Sequence, residues 1–279
     1  MQRFTRLVLA VGLTFVAGVS IAQEPSAPNG RIVQIRGSAL YFEDQGSGPP
    51  LLLIHGFGSS ATFWRALGDS LKSQFRVIAV DLPGHARSDA RDSSLFYSHA
   101  DAAKSMIALL DTLAIPAVGI LGNSSGGMVG LYMAAESPSR VTSLVTMGSQ
   151  IYYSKEAQAA ITAGGPDSAK AQTMTTYATR HGSAKGMLLA RQFWAFRQSN
   201  DELNITPQML GRITARTLVT HGSDDSIVPV SQAFEIARGI RGSHLWVLAH
   251  AGHNPFPGDA GRVELLTRLR PFLAGAWTR

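Results

Sequence analysis

Gly122-Asn123-Ser124-Ser125-Gly126-Gly127 is the stretch on which the reading of this chain turns. Before it stands a continuous apolar run of strand length, Ala117-Val118-Gly119-Ile120-Leu121. After it, Met128 to Ala135 has the composition of a buried helix. A Gly-x-Ser-x-Gly stretch between a strand and a helix forces a turn so sharp that its backbone is strained. Side chains two residues before and two after the serine would collide, and Gly122 and Gly126 fill those positions. The Ser124 hydroxyl is therefore expected at the C-terminal end of the strand, beside the amino end of the next helix. Centring the pattern on Ser125 puts Asn123, not a glycine, two residues before it.

Working outward, other apolar runs of strand length are Leu51 to Ile54, Val77 to Val80, Val141 to Met147, Thr217 to Thr220 and His244 to Leu248. Between them lie stretches of helical spacing at Ala61 to Ser73, Ala100 to Leu113, 125–136, 230–238 and Asp259 to Leu273. Two short extended stretches, Arg31 to Arg36 and Ala39 to Glu43, come first. Buried strands alternating with amphipathic helices mean an α/β fold, a doubly wound and mostly parallel sheet covered on both faces. The alternation breaks at residues 150–212, which are helix-like, with turns at Gly164-Gly165-Pro166 and Gly182-Ser183. They are expected to form a helical cap inserted into a core made of residues 31–149 and 213–279.

The amino terminus has the pattern of an export signal. Arg3 and Arg6 precede Leu7 to Ile21, an uncharged and mostly apolar run of 15 residues, and Ser20 and Ala22 are small residues suited to a cut after Ala22. Residues 1–22 are read as a signal peptide and 23–30 as a linker, which implies a periplasmic or secreted protein. The run falls short of the roughly 20 residues that span a bilayer, so no stable membrane insertion is expected after cleavage. An apolar content of 45% with 16% charged residues describes a globular chain. The net charge of +6 is spread without a dense basic block, which argues against nucleic-acid binding. There is no cysteine, so the fold rests on packing.

A serine hydroxyl is a weak nucleophile until a base, itself oriented by an acid, takes its proton. Both partners belong on loops at the sheet edge where the elbow points. His221-Gly222-Ser223-Asp224-Asp225-Ser226-Ile227-Val228-Pro229 follows one strand, and Ala249-His250-Ala251-Gly252-His253-Asn254-Pro255 follows the next. The chain order is then Ser, Asp, His. The candidate acids are Asp224 and Asp225, and the candidate bases are His250 and His253. The histidines have no His-Glu-x-x-His spacing, so neither a metal site nor a cofactor is expected.

From about residue 38 to the C-terminus the chain resembles the α/β-hydrolase family in its capped form. The pieces that carry the resemblance are His55-Gly56-Phe57-Gly58, Asp81-Leu82-Pro83-Gly84-His85-Ala86-Arg87-Ser88-Asp89, the elbow, Gly222 to Pro229, and Gly252-His253. The resemblance implies Asp225 as acid, three residues after the glycine and four before the proline, and His253 as base. It implies Phe57 N–H as one oxyanion donor, the other being Ser125 N–H at the helix start. Ala86 stands where the family usually has glycine, in a loop away from the chemistry. His55 and His85 are read as hydrogen-bonded scaffold, and no partner pattern is visible for His99, His181, His221 and His244.

Met187, Arg191 and Trp194 recur at helical spacing in the cap and, with Phe57 and Asn123, are the candidate pocket lining. Arg191 and Arg197 are candidates to hold a substrate carboxylate, with plain surface solvation the favoured reading. The apolar stripe points to a small-molecule ester of small to medium apolar character. Cleavage of a carbon–carbon bond in a diketone ring-fission substrate is the alternative, because Gly122-Asn123-Ser124 also resembles the elbow of those hydrolases. Against it, Asn254 stands where they commonly carry tryptophan. Acyl transfer, a haloperoxidase-like side activity and a non-catalytic binding module on the same fold complete the alternatives. Ser124 in the nucleophile position disfavours the aspartate-dependent epoxide and haloalkane relatives.

Overall fold

The computed structural model describes residues 27–90, 97–163, 168–198 and 203–277. The expected signal segment lies outside the described residues, as does the first half of the expected linker. In chain order the first elements are β1 (Gly30–Ile35), β2 (Ser38–Gln45), β3 (Pro50–Ile54), α1 (Arg65–Leu71), β4 (Arg76–Val80) and α2 (His99–Thr112). Next come β5 (Val118–Asn123), α3 (Ser125–Glu136), β6 (Val141–Met147), α4 (Lys155–Ala163), α5 (Ser168–His181), α6 (Ser183–Ala195) and α7 (Pro207–Gly211). The chain closes with β7 (Arg216–Gly222), α8 (Ser231–Gly239), β8 (His244–Leu248) and α9 (Gly258–Leu273).

The eight strands form one sheet in the order β1-β2-β4-β3-β5-β6-β7-β8. β1 pairs antiparallel with β2 and β2 with β4, and every later pairing is parallel. The central strands are buried on both faces, which is why they read as continuous apolar runs. β3 shows the sorting. Leu52 and Ile54 enter one core layer with Leu109 of α2 and Val129 of α3. Leu51 and Leu53 enter the opposite layer with Leu71 of α1 and Phe272 of α9. Each such side chain contributes about 1.5–3 kcal/mol by leaving water.

Where the elements begin differently from the sequence expectation, a local bond explains it. β1 starts at Gly30 and turns back at Arg36-Gly37, whose φ values of 51° and 83° suit a two-residue hairpin. The expected helix over Ala61 to Ser73 opens as a 3-10 turn at Ala61–Trp64, because the Ala61 N–H is drawn onto Asp81 Oδ1 at 2.7 Å. α2 starts at His99 because Ser98, in extended conformation, caps it by accepting from Asp101 N–H. Between β6 and β7 the described residues are mainly helical, as expected. Its last part is not a roof, since Leu203, Ile205 and Leu210 are buried in the same core layer as α3 and α8.

Candidate active site

β5 ends at Asn123, and Ser124 continues the ladder by donating its N–H to Met147 carbonyl at 2.7 Å. The chain then reverses into α3 through Ser124 itself, at φ 51° and ψ −120°, a region that costs a non-glycine residue about 1–3 kcal/mol. Both flanking glycines are required by contact. A Cβ on Gly122 would lie 2.5 Å from the Gly126 carbonyl carbon, and one on Gly126 would overlap the Ile54 carbonyl. The strained turn holds the hydroxyl above the sheet edge.

The loops after β7 and β8 meet it there. His253 Nε2 is 3.0 Å from Ser124 Oγ, and His253 Nδ1 is 2.8 Å from Asp225 Oδ2. Asp225 has no exposed side-chain surface. Its Oδ1 accepts from the N–H groups of Ile227 and Val228, both at 2.9 Å. Burial alone would raise its pKa, but hydrogen bonds from His221 and His253 and from Val228 N–H outweigh it and hold the carboxyl well below the usual range. Gly148 leaves room for this pair, since a Cβ there would meet the His253 carbonyl at 2.8 Å. The rival residues are elsewhere: Asp224 is exposed beside Ser223 Oγ, and His250 is almost fully exposed at 3.5 Å from Asp224.

His221 has a partner that no spacing revealed. Its Nε2 lies 2.9 Å from the Val228 carbonyl and 3.3 Å from Asp225 Oδ2, so one buried N–H braces both the acid and the loop that carries it. His99 has another, with Nε2 2.9 Å from Ser125 Oγ. Ser125 is buried at the first turn of α3. The Gly56-Phe57 strip runs alongside, with a Cβ on Gly56 placed 3.2 Å from Ser124 Cβ and 2.9 Å from Asn123 Oδ1. Asn123 is buried against this strip, and its Nδ2 has no partner among the described residues.

Behind the strip sit three buried imidazoles. His55 Nδ1 donates to the Gly56 carbonyl and its Nε2 accepts from Leu82 N–H, which fits the scaffold role expected from the sequence. His85 packs edge-on against His55, Phe57, Tyr97 and His181. Burial lowers His55 to about 4 against a weaker pull from Asp81, burial lowers His181 to about 4 against its bond to the Gly58 carbonyl, and burial with the neighbouring histidines lowers His85 too. In the unfolded chain these groups titrate near the ordinary value of about 6.5. The unfolded state therefore binds protons first, and the stability these groups give is full above pH 6.5 and lost as pH falls towards 4. The melting temperature should decline through that window, before Asp225 titrates. A flat melting profile between pH 7 and 4 would contradict the burial of these rings.

The three cap residues expected to line the pocket do not share one face. Met187 and Arg191 lie on the exposed face of α6. Trp194 is half-buried, with the Arg197 guanidinium 4.2 Å over its ring. The buried positions of α6 are Gly186, Leu189 and Gln192, with Phe196 buried just beyond its end, and Phe193 is half-buried like Trp194, both packed against the core. Phe193 and Phe196 meet the Phe57 ring at 6.0 and 5.0 Å, and Tyr153 stacks on Phe196 at 5.0 Å. α6 is rotated this way because Gly186 lets the α5 backbone come close, where any Cβ would meet Tyr177 and Ala178 at 2.7 Å.

Residues 49–169 match the family model described as the α/β hydrolase fold. Over 238 residues the chain is 32% identical to a protein of Variovorax paradoxus named provisionally as the carbamate hydrolase RutD, covering 77% of this chain and 89% of that one. The chain belongs to the α/β-hydrolase fold family. It is 29% identical, over 80% of its own length and 84% of the relative's, to the 2-hydroxy-6-oxo-6-(2'-aminophenyl)hexa-2,4-dienoic acid hydrolase of Metapseudomonas resinovorans. A thermophilic esterase from Thermogutta terrifontis superposes with a TM-score of 0.71 at 25% identity, covering 89% of this chain and all of that one. This α/β-hydrolase thus has both an esterase and a dienoic acid hydrolase among the proteins it is similar to. No helix among the described residues is long and apolar enough to cross a membrane.

Proposed function

We propose that this α/β-hydrolase is an exported serine esterase that cleaves a small to medium apolar carboxylic ester through an acyl-enzyme on Ser124. The observation that carries the reading is the unbroken relay from Ser124 Oγ through His253 to Asp225, at 3.0 and 2.8 Å. In it, His253 Nε2 takes the hydroxyl proton as Ser124 Oγ attacks the ester carbonyl. The N–H groups of Phe57 and Ser125 receive the developing oxyanion. The tetrahedral intermediate collapses as His253 protonates the leaving alcohol. Water then repeats the sequence on the acyl-enzyme and frees the acid.

The cap supports an uncharged acyl group. A dienoic acid brings a carboxylate that must find a cation, yet the cap cations near the core are engaged. Arg180 donates to the Gly58 carbonyl, Lys185 to the carbonyls of Ala86 and Ser88, and Arg197 covers Trp194. Arg191 is exposed on α6. Carbon–carbon bond hydrolysis is the second reading, favoured by the Metapseudomonas relative. A panel of p-nitrophenyl esters of rising chain length, run beside a diketone ring-fission substrate, separates the two. Ester turnover with little diketone cleavage is expected, and the reverse result would install the second reading.

Phe193, against Phe57, is the cap residue expected to set chain-length preference. Phe193→Ala should shift that preference by about 1–3 kcal/mol between long and short esters, while leaving the shortest ester little changed. Met187→Ala, on the exposed face, should not shift it. Equal effects of the two would remove the aromatic wall from the substrate site. Export rests on residues 1–22 alone, and mass spectrometry should find the mature chain starting at Gln23. An intact amino terminus on a membrane-bound product would overturn it.

A further inference from the structure

The turn from α5 into α6 grips the strip that carries Phe57. His181, the last residue of α5, is buried and uses both ring nitrogens. Nδ1 accepts from Ala86 N–H at 2.8 Å, which leaves the ring proton on Nε2, and Nε2 donates to the Gly58 carbonyl at 3.1 Å. Arg180 Nη1 donates to the same carbonyl at 2.7 Å. Tyr177 occupies the space where a side chain on Gly58 would begin. Lys185, at the start of α6, ties down the neighbouring loop through the carbonyls of Ala86 and Ser88 at 2.9 and 2.8 Å.

The Gly58 carbonyl and the Ser59 N–H belong to one rigid peptide plane. That N–H donates to the Gly56 carbonyl at 3.0 Å, which belongs to the same plane as the Phe57 N–H. Two linked planes thus join the cap to the Phe57 donor. His55 Nδ1 holds the second plane from the core side, through the same Gly56 carbonyl at 2.7 Å. The cap bonds set the first plane, and the turn transmits its orientation to the second.

We propose that His181 and Arg180 are positioning residues for the oxyanion hole: by holding the Gly58–Ser59 peptide from the cap, they aim the Phe57 N–H at the transition-state oxygen. The site is then complete only while the α5–α6 turn is docked, so the cap has a part in the chemistry besides covering substrate. This rests on the reading of Ser124 as nucleophile.

The test uses the full-length protein with p-nitrophenyl acetate, too small to need the cap for binding, and a p-nitrophenyl phosphonate that labels the nucleophile whichever bond the enzyme naturally cleaves. His181→Phe keeps an aromatic ring but removes both hydrogen bonds. His181→Gln keeps an acceptor for Ala86 N–H and a donor for the Gly58 carbonyl. Arg180→Met removes one of the two donors to the Gly58 carbonyl and keeps His181. His181→Phe should lower kcat by about 10²-fold, the scale of a small misplacement at a reacting centre, with KM little changed. His181→Gln should recover most of it, and Arg180→Met should show a smaller loss of kcat. The rate of phosphonylation at Ser124 should fall in the same order. If His181→Phe does not fold, the other two variants decide. Wild-type kcat in Arg180→Met would overturn the proposal. So would a kcat that tracks melting temperature alone, with glutamine no better than phenylalanine. Failure of the wild-type protein to be labelled at Ser124 would instead overturn the nucleophile reading before any variant is compared.

Discussion

Ser124→Ala should abolish turnover while leaving the fold intact. Loss of a triad serine typically costs about 10⁶-fold in kcat, because no other group can carry the acyl intermediate. The change is sterically mild. Alanine keeps the Cβ that the turn already accommodates at φ 51°, and only the Oγ bond to His253 Nε2 disappears. His253 is partly exposed, so water can take that place. The melting temperature should therefore move little. The experiment has unusual power here because a second serine–histidine pair sits next door. Ser125 Oγ and His99 Nε2 are 2.9 Å apart, as close as the proposed nucleophile and its base. Ser125 is nevertheless buried in the first turn of α3, while Ser124 stands at the elbow and is partly exposed. An organophosphonate should label Ser124 alone, and Ser125→Ala should retain labelling. Labelling of Ser125, or residual hydrolysis near wild type in Ser124→Ala, would move the nucleophile by one residue.

The elbow was legible because its sterics leave a local mark, two glycines placed around a serine between a strand and a helix. The buried parallel strands were legible for a similar reason, since a strand covered on both faces must be apolar throughout. Choosing Asp225 over Asp224 needed the spacing of a family, because the two carboxylates differ only in burial, which neighbouring positions do not display. The cap face is legible only in part, for a physical reason. Bulk at positions 187, 191 and 194 suggested the inner stripe, but small Gly186 decides how closely α5 approaches and hence which way α6 turns. Phe196, just past the end of α6, is buried, and Phe193 is half-buried against Phe57. The bonds of His99 to Ser125 and of His181 to Gly58 join residues 26 and 123 positions apart, and no periodicity encodes such meetings. His221 is nearer to Asp225, yet a histidine at the end of a buried strand carries no mark of which carboxylate it faces.

Asp225→Asn should reduce kcat by about 10⁴-fold, the loss seen when a triad aspartate becomes its amide. The carboxylate holds His253 with its Nδ1–H towards Oδ2 at 2.8 Å, leaving Nε2 free to accept the Ser124 proton. An amide nitrogen turned to that position would donate to Nδ1 and put the ring proton on Nε2, where it cannot accept one. The four bonds around the carboxylate sharpen the expectation. Oδ1 accepts two backbone N–H groups, which fixes the amide oxygen there and sends the amide nitrogen towards His253 and His221. The same crowding adds a stability loss of about 1–3 kcal/mol, the usual cost of leaving a buried donor unsatisfied. Its sign follows from the pKa. The folded carboxyl lies below its unfolded value of about 4, so the stability it gives is present above pH 4 and lost only as pH falls through the depressed folded value. At neutral pH the variant should therefore melt lower than wild type, and the gap should close in strong acid. Asp224→Asn should change neither quantity much, because the Asp224 carboxylate is exposed beside Ser223 and His250. kcat and melting temperature measured on both variants decide the matter, and the reverse ranking would transfer the role of acid to Asp224.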